Sequence, residues 1–225
     1  MPGRQVATAP ASIPTLGYLS GMSDDPVALA TLPLPPSPTK RALILERALA
    51  LFADRGYNGV GVEELATAAG VTKPTLYHYF GSKQGVLEAL LHEQFDPFLD
   101  ELAIAAAYEG DLQRALSRII RTVFDFGTAN PQLYWMVLGA ELTAHDDRAT
   151  RILSERLDRE RALVVNLFDR AARDQGAIKG KQRLAAETLL AMMTIHLRLA
   201  AHGEITLDDT AILYLIRHLI YGIYS

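Results

Sequence analysis

The 225-residue chain contains no cysteine. This absence excludes disulfide bonds, thiolate ligands for a metal ion and a cysteine nucleophile. It fits a protein of the reducing cytoplasm, and we predict that location. Long apolar runs are missing too, because the stretches 189–201 and 211–224 fall short of roughly 18 residues and contain histidine and arginine. We predict that neither stretch spans a membrane.

The sequence also lacks the motifs of common enzymes. It has no His-Glu-x-x-His, no nucleophile elbow and no pattern of paired catalytic carboxylates. The run His145-Asp146-Asp147 contains metal-ligand residue types, but its place before a charged helix favours an N-cap. We therefore predict that the protein is not an enzyme and needs no metal and no cofactor.

Proline is scarce after the first 38 residues, which contain eight of the eleven prolines. This segment has few charges and no helical or strand period, so it cannot bury enough apolar surface to offset its ordering entropy. We predict a disordered or loosely packed tail over residues 1–38.

Alternating strand patterns are absent from the rest of the chain, where apolar residues recur at helical spacing. The pattern predicts an all-α fold of about nine helices. The first predicted domain, residues 39–92, contains a three-helix unit. The fourth helix joins this unit to a larger bundle in the second predicted domain, residues 93–225. Caps and breakers place the helices at about 40–55, 62–69, 73–80, 83–107, 111–127, 131–144, 147–175, 181–202 and 207–224.

The stretch GVTKPTLYHYF, residues 70–80, is crowded with aromatic side chains. On a helix, Leu76 and Phe80 lie within about 40° of each other and face inward with Val71. The opposite face presents four residues, while Tyr79 lies between the two faces and is predicted either as core or as a backbone contact. The presented residues are Pro74, Thr75, Tyr77 and His78.

Two short helices joined by a glycine-containing turn predict a helix-turn-helix. Its second helix enters the DNA major groove with the side chains near its N-terminus on the base edges. Thr72 is a suitable N-cap, and Lys73 adds positive charge to a helix end that attracts phosphate. The alternative is a solvated surface that packs against another subunit.

The run GVEELATAAGVTKPTLYHYFGSKQGVLEALL, preceded by ALALFADRGYNGV, resembles the DNA-binding domain of the TetR family of bacterial transcriptional regulators. A dozen positions within 40–92 agree in order and spacing. The resemblance implies that Thr72, Lys73, Pro74, Thr75, Tyr77 and His78 face DNA, and that Tyr79 and Lys83 approach the phosphate backbone. Residues 40–92 contain 6 basic and 5 acidic side chains, so the predicted salt dependence of binding is shallow.

The C-terminal part resembles the family in helix number and length. Its last two helices are strongly apolar and must be covered on nearly every side. They look like the pair that members of the family use to form a homodimer interface, and the alternative is an internal core. The resemblance implies a small apolar or amphipathic effector within the bundle, although the same aromatic residues also suit plain core packing. The candidate effector-binding residues are Phe124, Tyr134, Trp135, Leu138, Asn166 and His196, with Asp125 as a further polar anchor.

Residues 148–174 place opposite charges four positions apart, as in Arg156 and Glu160. This pattern predicts a solvated helix face without a role in DNA binding.

Together these features predict a homodimeric transcriptional regulator, a repressor released from a double-stranded, near-palindromic operator by a small effector. The alternatives are an effector-independent architectural DNA-binding protein and an all-α enzyme that retains an unused DNA-binding domain.

Overall fold

The computed structural model describes residues 39–140 and 148–224, and the side chains as far as residue 222. Within these ranges the chain is helical without any strand, which confirms the all-α prediction. The predicted tail, residues 1–38, and the predicted cap at Asp146 or Asp147 lie outside the described residues. The α-helices are α1 Lys40–Arg55, α2 Val62–Ala68, α3 Lys73–Phe80, α4 Lys83–Gln94, α5 Asp96–Ala105, α6 Leu112–Ala129, α7 Pro131–Gly139, α8 Arg148–Asp174, α9 Gln182–Ala201 and α10 Asp209–Tyr224.

Side-chain N-caps begin two of the N-terminal helices, α1 and α4. The Thr39 hydroxyl accepts a hydrogen bond from the Ala42 N–H at 3.2 Å, and the Ser82 hydroxyl accepts one from the Gly85 N–H at 2.9 Å. Each bond satisfies an N–H that has no partner inside its helix. α1 to α4 enclose a common core that includes the fully buried Ile44, Phe52, Leu65, Leu76 and Leu87.

The single helix predicted over 83–107 is wrong, because the structure divides it at Phe95 into α4 and α5. The physical reason is Pro97, in the first turn of α5. Proline has no N–H to donate to the carbonyl of Glu93, so it is tolerated only where a helix begins. Phe95 is buried at this break, and its ring meets the ring of Phe98 at a centroid distance of 5.3 Å.

A half-buried ion pair ties the start of α5 to the middle of α8. One carboxylate oxygen of Asp96 lies 3.4 Å from the Arg156 Nε and 3.4 Å from an Arg159 guanidinium nitrogen. The solvated face predicted for residues 148–174 is therefore wrong at two positions. Arg156 is largely covered and pairs with Asp96 and Glu155, and Glu160 is only 5% exposed.

The bundle places α9 against α6, α8 and α10. By length and composition, α9 is the one described helix that could cross a membrane, yet it packs here as a bundle helix with Leu189 and Met193 fully buried. Only 28% of the residues in its most apolar window are buried. The remaining apolar surface of α9 is thus uncovered within one chain.

Candidate nucleic-acid interface and effector cavities

The two faces predicted for α3 are separated in the structure. Leu76 is completely buried, while Tyr77 is 41% exposed and both Pro74 and His78 lie on the surface. The turn before α3 depends on Gly70, whose φ of 63° is costly for any residue with a Cβ atom. α3 therefore presents polar and aromatic side chains on a short helix that is anchored by its opposite face.

The first turn of α3 is organised by Thr72. Its hydroxyl accepts a hydrogen bond from the Thr75 N–H at 3.4 Å and lies 2.9 Å from the Thr75 hydroxyl. Thr72 is exposed and Thr75 is half-buried, so both hydroxyls sit at the accessible end of the helix. This confirms the predicted N-cap of α3.

Lys73 has a partner that the sequence analysis missed. Its ammonium group donates a hydrogen bond to the Glu63 carboxylate at 3.0 Å, and this bond raises the pKa of Lys73 above its ordinary value. The Glu63 side chain is 82% exposed, so the pair lies on the surface. A sequence signal existed, because Glu63 occupies the first turn of α2 in the same helix-turn-helix.

Tyr79, which was left between core and surface, is 41% exposed. Its ring meets the His78 ring edge to face at a centroid distance of 5.5 Å. Phe80 is half-buried, and the Arg41 guanidinium lies over its ring at 5.2 Å. Tyr79 therefore belongs to the accessible side of α3, together with Tyr77 and His78.

Lys83 is engaged within the protein. Its ammonium group donates hydrogen bonds to the carbonyl oxygens of Tyr57 at 3.0 Å and Val60 at 2.9 Å, and lies 4.0 Å from the centre of the Tyr57 ring. These contacts tie the start of α4 to the loop between α1 and α2. They give Lys83 a structural role that its position in the sequence does not reveal, and its contact with phosphate stays a prediction.

The six candidate effector residues do not form one site. Phe124 and Trp135 line a cavity of about 770 Å³ between α6, α7 and α9, which we call the Phe124 cavity. Tyr134 and Leu138 line a second cavity of about 330 Å³ between α7, α8 and α9, which we call the Glu160 cavity. Successive residues of α7 therefore face different cavities, as expected from the helical rotation of about 100° per residue.

The other two candidates stand apart from the cavity walls. His196 is half-buried, with its Nδ1 2.8 Å from the Met192 carbonyl oxygen and its ring 6.3 Å from the Phe124 ring. Asn166 is exposed on α8 and lines neither cavity. Asp125, by contrast, does line the Phe124 cavity.

Glu160 is the functional candidate that the sequence analysis missed. It lines the Glu160 cavity and is the one buried charged residue among the described residues. Burial raises the pKa of Tyr134, the negative charge of Glu160 raises it further, and a hydrogen bond with Thr194 opposes the shift. The signal was present in the sequence, because Glu160 interrupts an apolar helical stripe formed by Leu153, Leu157, Val164 and Leu167.

Trp135 connects the Phe124 cavity with the N-terminal helices. Besides that cavity, its side chain lines two smaller hollows between the bundle and α1, where it faces Ala53. α7 packs directly on α1, which also packs on α2 and α4. A change at Trp135 therefore has a direct route of packed contacts to the helix-turn-helix.

An exposed apolar surface runs along α9 and α10, and we call it the α9–α10 face. On α9, Leu184 is 70% exposed and Ile195 is 46% exposed. On α10, Leu213, Tyr214 and Tyr221 are 48%, 53% and 76% exposed. Large apolar side chains at this density on two adjacent helices are typical of an interaction surface.

Known proteins similar to this chain include transcriptional regulators. Residues 44–90 match the family model of bacterial regulatory proteins of the tetR family. The transcriptional activator FasR of Mycolicibacterium smegmatis is 28% identical over 178 residues, which cover 79% of this chain and 80% of FasR.

Two solved structures share the fold. A TetR-like transcriptional regulator from Rhodococcus sp. RHA1 has a TM-score of 0.66 at 23% identity, over 85% of this chain and all of that one. The structure of AibR in complex with isovaleryl coenzyme A and operator DNA has a TM-score of 0.58 at 21% identity, over 79% of this chain and 96% of AibR. The helix-turn-helix with its exposed α3 face, the all-helical bundle and these similarities lead to one conclusion: residues 44–90 match the DNA-binding domain of the tetR family of bacterial regulatory proteins, in a chain that is similar to such regulators over most of its length.

Proposed function

We propose that the protein is a cytoplasmic, ligand-responsive regulator that binds a near-palindromic operator as a homodimer and represses transcription until an effector releases it. The observation that carries the proposal is the α3 face. An accessible helix start is surrounded there by Thr72, Lys73, Pro74, Thr75, Tyr77 and His78. Side chains at the start of a recognition helix are those that reach base edges in the major groove. Tyr79 and Lys83 are proposed as contacts to the DNA backbone.

The homodimer is proposed to form through the α9–α10 face. Support comes from the apolar side chains that this face leaves exposed and from the small buried fraction of α9. Covering such a face excludes water from several large apolar groups at once, which favours association. Two copies of α3 then lie on one side of the DNA, where half-sites about 34–36 Å apart match one helical turn of the duplex.

The effector is proposed to bind in the Phe124 cavity. The walls of this cavity are mostly apolar, and a volume of about 770 Å³ suits a small molecule. Asp125 and Thr128 are polar groups in the lining. Since AibR was solved with isovaleryl coenzyme A, a short acyl group is a reasonable first ligand to test on this chain.

We propose that the effector releases the protein from its operator through Trp135. An effector in the Phe124 cavity touches one side of the indole, and the other side faces α1. The effector can shift the equilibrium only if it binds better when the two α3 helices are wrongly spaced for the operator. Trp135 is the single tryptophan of the chain, so its fluorescence reports effector binding at this point.

The test is to sequence the fragments of the native genome that the protein retains and then to measure binding to the selected duplex. We expect one short sequence to be enriched and to be released by a metabolite. We expect Tyr77→Ala to abolish selective binding with an unchanged unfolding curve, because Tyr77 is on the surface. Leu76→Ala, at a fully buried position, should instead cost about 2–5 kcal/mol of stability.

The outcomes separate the alternatives. Retention of all DNA sequences alike indicates an architectural protein, and chemical turnover of a bound metabolite indicates an enzyme. Unfolding of Tyr77→Ala at native conditions refutes the assignment of Tyr77 to the DNA-binding face. A reporter gene behind the selected duplex should be silenced by the protein, and activation in that assay contradicts repression.

A further inference from the structure

Few side chains hold α3 against its neighbours α1, α2 and α4. Leu76 is the one buried residue of the eight in this helix, and Phe80, about one turn further on, is half-buried. Leu76 and Phe80 lie about 6 Å apart along the axis, so a displacement of about 1 Å at Phe80 turns α3 by about 10° around Leu76. A binding group must be held within roughly 10–20° of its productive orientation. The contacts of Phe80 therefore matter for the angle of α3.

Arg41, in the first turn of α1, covers the ring of Phe80. Its guanidinium lies 5.2 Å from the centre of the ring, within the distance of about 6 Å at which a cation is attracted to an aromatic face. The same guanidinium forms a hydrogen-bonded ion pair with the carboxylate of Glu93, in the last turn of α4. Arg41 thus connects the start of α1 with the ends of α3 and α4. We call Arg41, Phe80 and Glu93 the Arg41 cluster.

A basic side chain at the start of α1 could also bind a DNA phosphate directly, and Glu93 separates the two roles. If Arg41 binds phosphate, removal of the Glu93 carboxylate frees the guanidinium and removes a negative charge, so every DNA sequence is bound more tightly. If Arg41 holds Phe80, the same removal loosens the end of α3, and selective binding becomes weaker. The two roles predict changes of opposite sign.

We propose that Arg41 is a positioning residue, which holds the Phe80 end of α3 against α1 and α4 and thereby fixes the angle at which α3 meets the operator. This role rests on the proposed binding of α3 to the operator. Arg41 acts through Phe80 and reads no base itself. Its effect is on the discrimination between the operator and other duplexes, because phosphate contacts alone carry no sequence information.

The test measures binding of the full chain to the duplex selected from the genome and to a scrambled duplex of the same length and composition, by fluorescence anisotropy. The measured quantity is the operator preference, the ratio of the two dissociation constants. Arg41→Met and Glu93→Gln should each lower this preference about three- to tenfold, as expected for a partly exposed ion pair and ring contact. Loss of folded protein reduces binding to both duplexes alike, so the ratio does not respond to stability.

Arg47→Met and Glu46→Gln are the matched controls, because these two residues form another exposed ion pair on α1, at 3.7 Å. Each control should leave the operator preference within about twofold of the wild type. The double variant of Arg41→Met and Glu93→Gln should lose no more than Arg41→Met alone, because both changes disrupt the same cluster.

An unchanged operator preference in Arg41→Met or in Glu93→Gln overturns the proposal. An equal loss on both duplexes in Arg41→Met, with a salt slope lower by about one, also overturns it, because that result identifies a phosphate contact. A wild type that binds both duplexes equally refutes the proposed function, and the role of Arg41 with it. A selective wild type whose variants are equally selective refutes the role of Arg41 alone.

Discussion

Replacing Lys83 with methionine separates a structural role from a DNA-binding role. The ammonium group donates to the carbonyls of Tyr57 and Val60 and lies over the Tyr57 ring. Methionine keeps much of the apolar stem but leaves both carbonyls without this donor. Hydrogen bonds to a charged group contribute roughly 1.5–3 kcal/mol each and the ring contact roughly 0.5–1, but water can partly replace the donor at this half-buried site. We expect a loss of about 2–4 kcal/mol of unfolding free energy.

The assay is urea denaturation at one fixed protein concentration, because the stability of a dimer depends on concentration. Lys40→Met is the control, since Lys40 is an exposed lysine at the start of α1, and it should change stability by less than about 0.5 kcal/mol. Our reasoning is refuted if Lys83→Met is as stable as the control. If it also reduces the salt slope of operator binding by about one, Lys83 binds phosphate as the family resemblance implies.

Two further predictions follow from contacts in the structure. Glu63→Gln releases Lys73 from its surface ion pair, so it should strengthen operator binding about two- to tenfold at low salt and have little effect on stability. Fluorescence anisotropy measures the affinity. Equal affinities of the variant and the wild type would place Lys73 away from the phosphates. Gly127→Ala would bring a Cβ atom to 2.8 Å from both terminal methyl groups of Leu197, and should cost about 1–2 kcal/mol after its gain in helix propensity. Leu197→Ala should relieve this clash, so additive losses in the double variant would contradict it.

The exposed face of α3, which we propose binds DNA, was predictable because it is local in sequence. The residues that cap, anchor and present α3 all fall within 70–80, so one helical projection separates buried Leu76 from exposed Tyr77. The signal for the break at Phe95 is equally local, because Pro97 lies two residues after it. It was missed because the apolar spacing continues through the break and outweighed a single proline.

The cavities could not be predicted in the same way. The Phe124 cavity joins residues as distant as Phe124 and Leu207, and the packing of α6 against α9 that creates it has no local signature. Neighbours such as Tyr134 and Trp135 look equivalent in an aromatic run, yet they face different cavities. The partners of Lys83 could not be predicted from the sequence either. They are backbone carbonyls, which every residue type has.

The break at Phe95 bears on how the proposed effector would act on DNA binding. A continuous helix over 83–107 would act as one lever, but the structure has two helices with a proline at their junction. α4 packs mainly on α1 and α3, with a smaller contact on α8. α5 packs on α6 and α8 and is held by the ion pair of Asp96 with Arg156 and Arg159. α5 is therefore expected to move with the bundle and α4 with the DNA-binding helices. In the proposed mechanism, displacement within the bundle reaches α3 through rotation at Phe95 and through the contact of α7 with α1, so the proposed effector need not tilt a rigid helix.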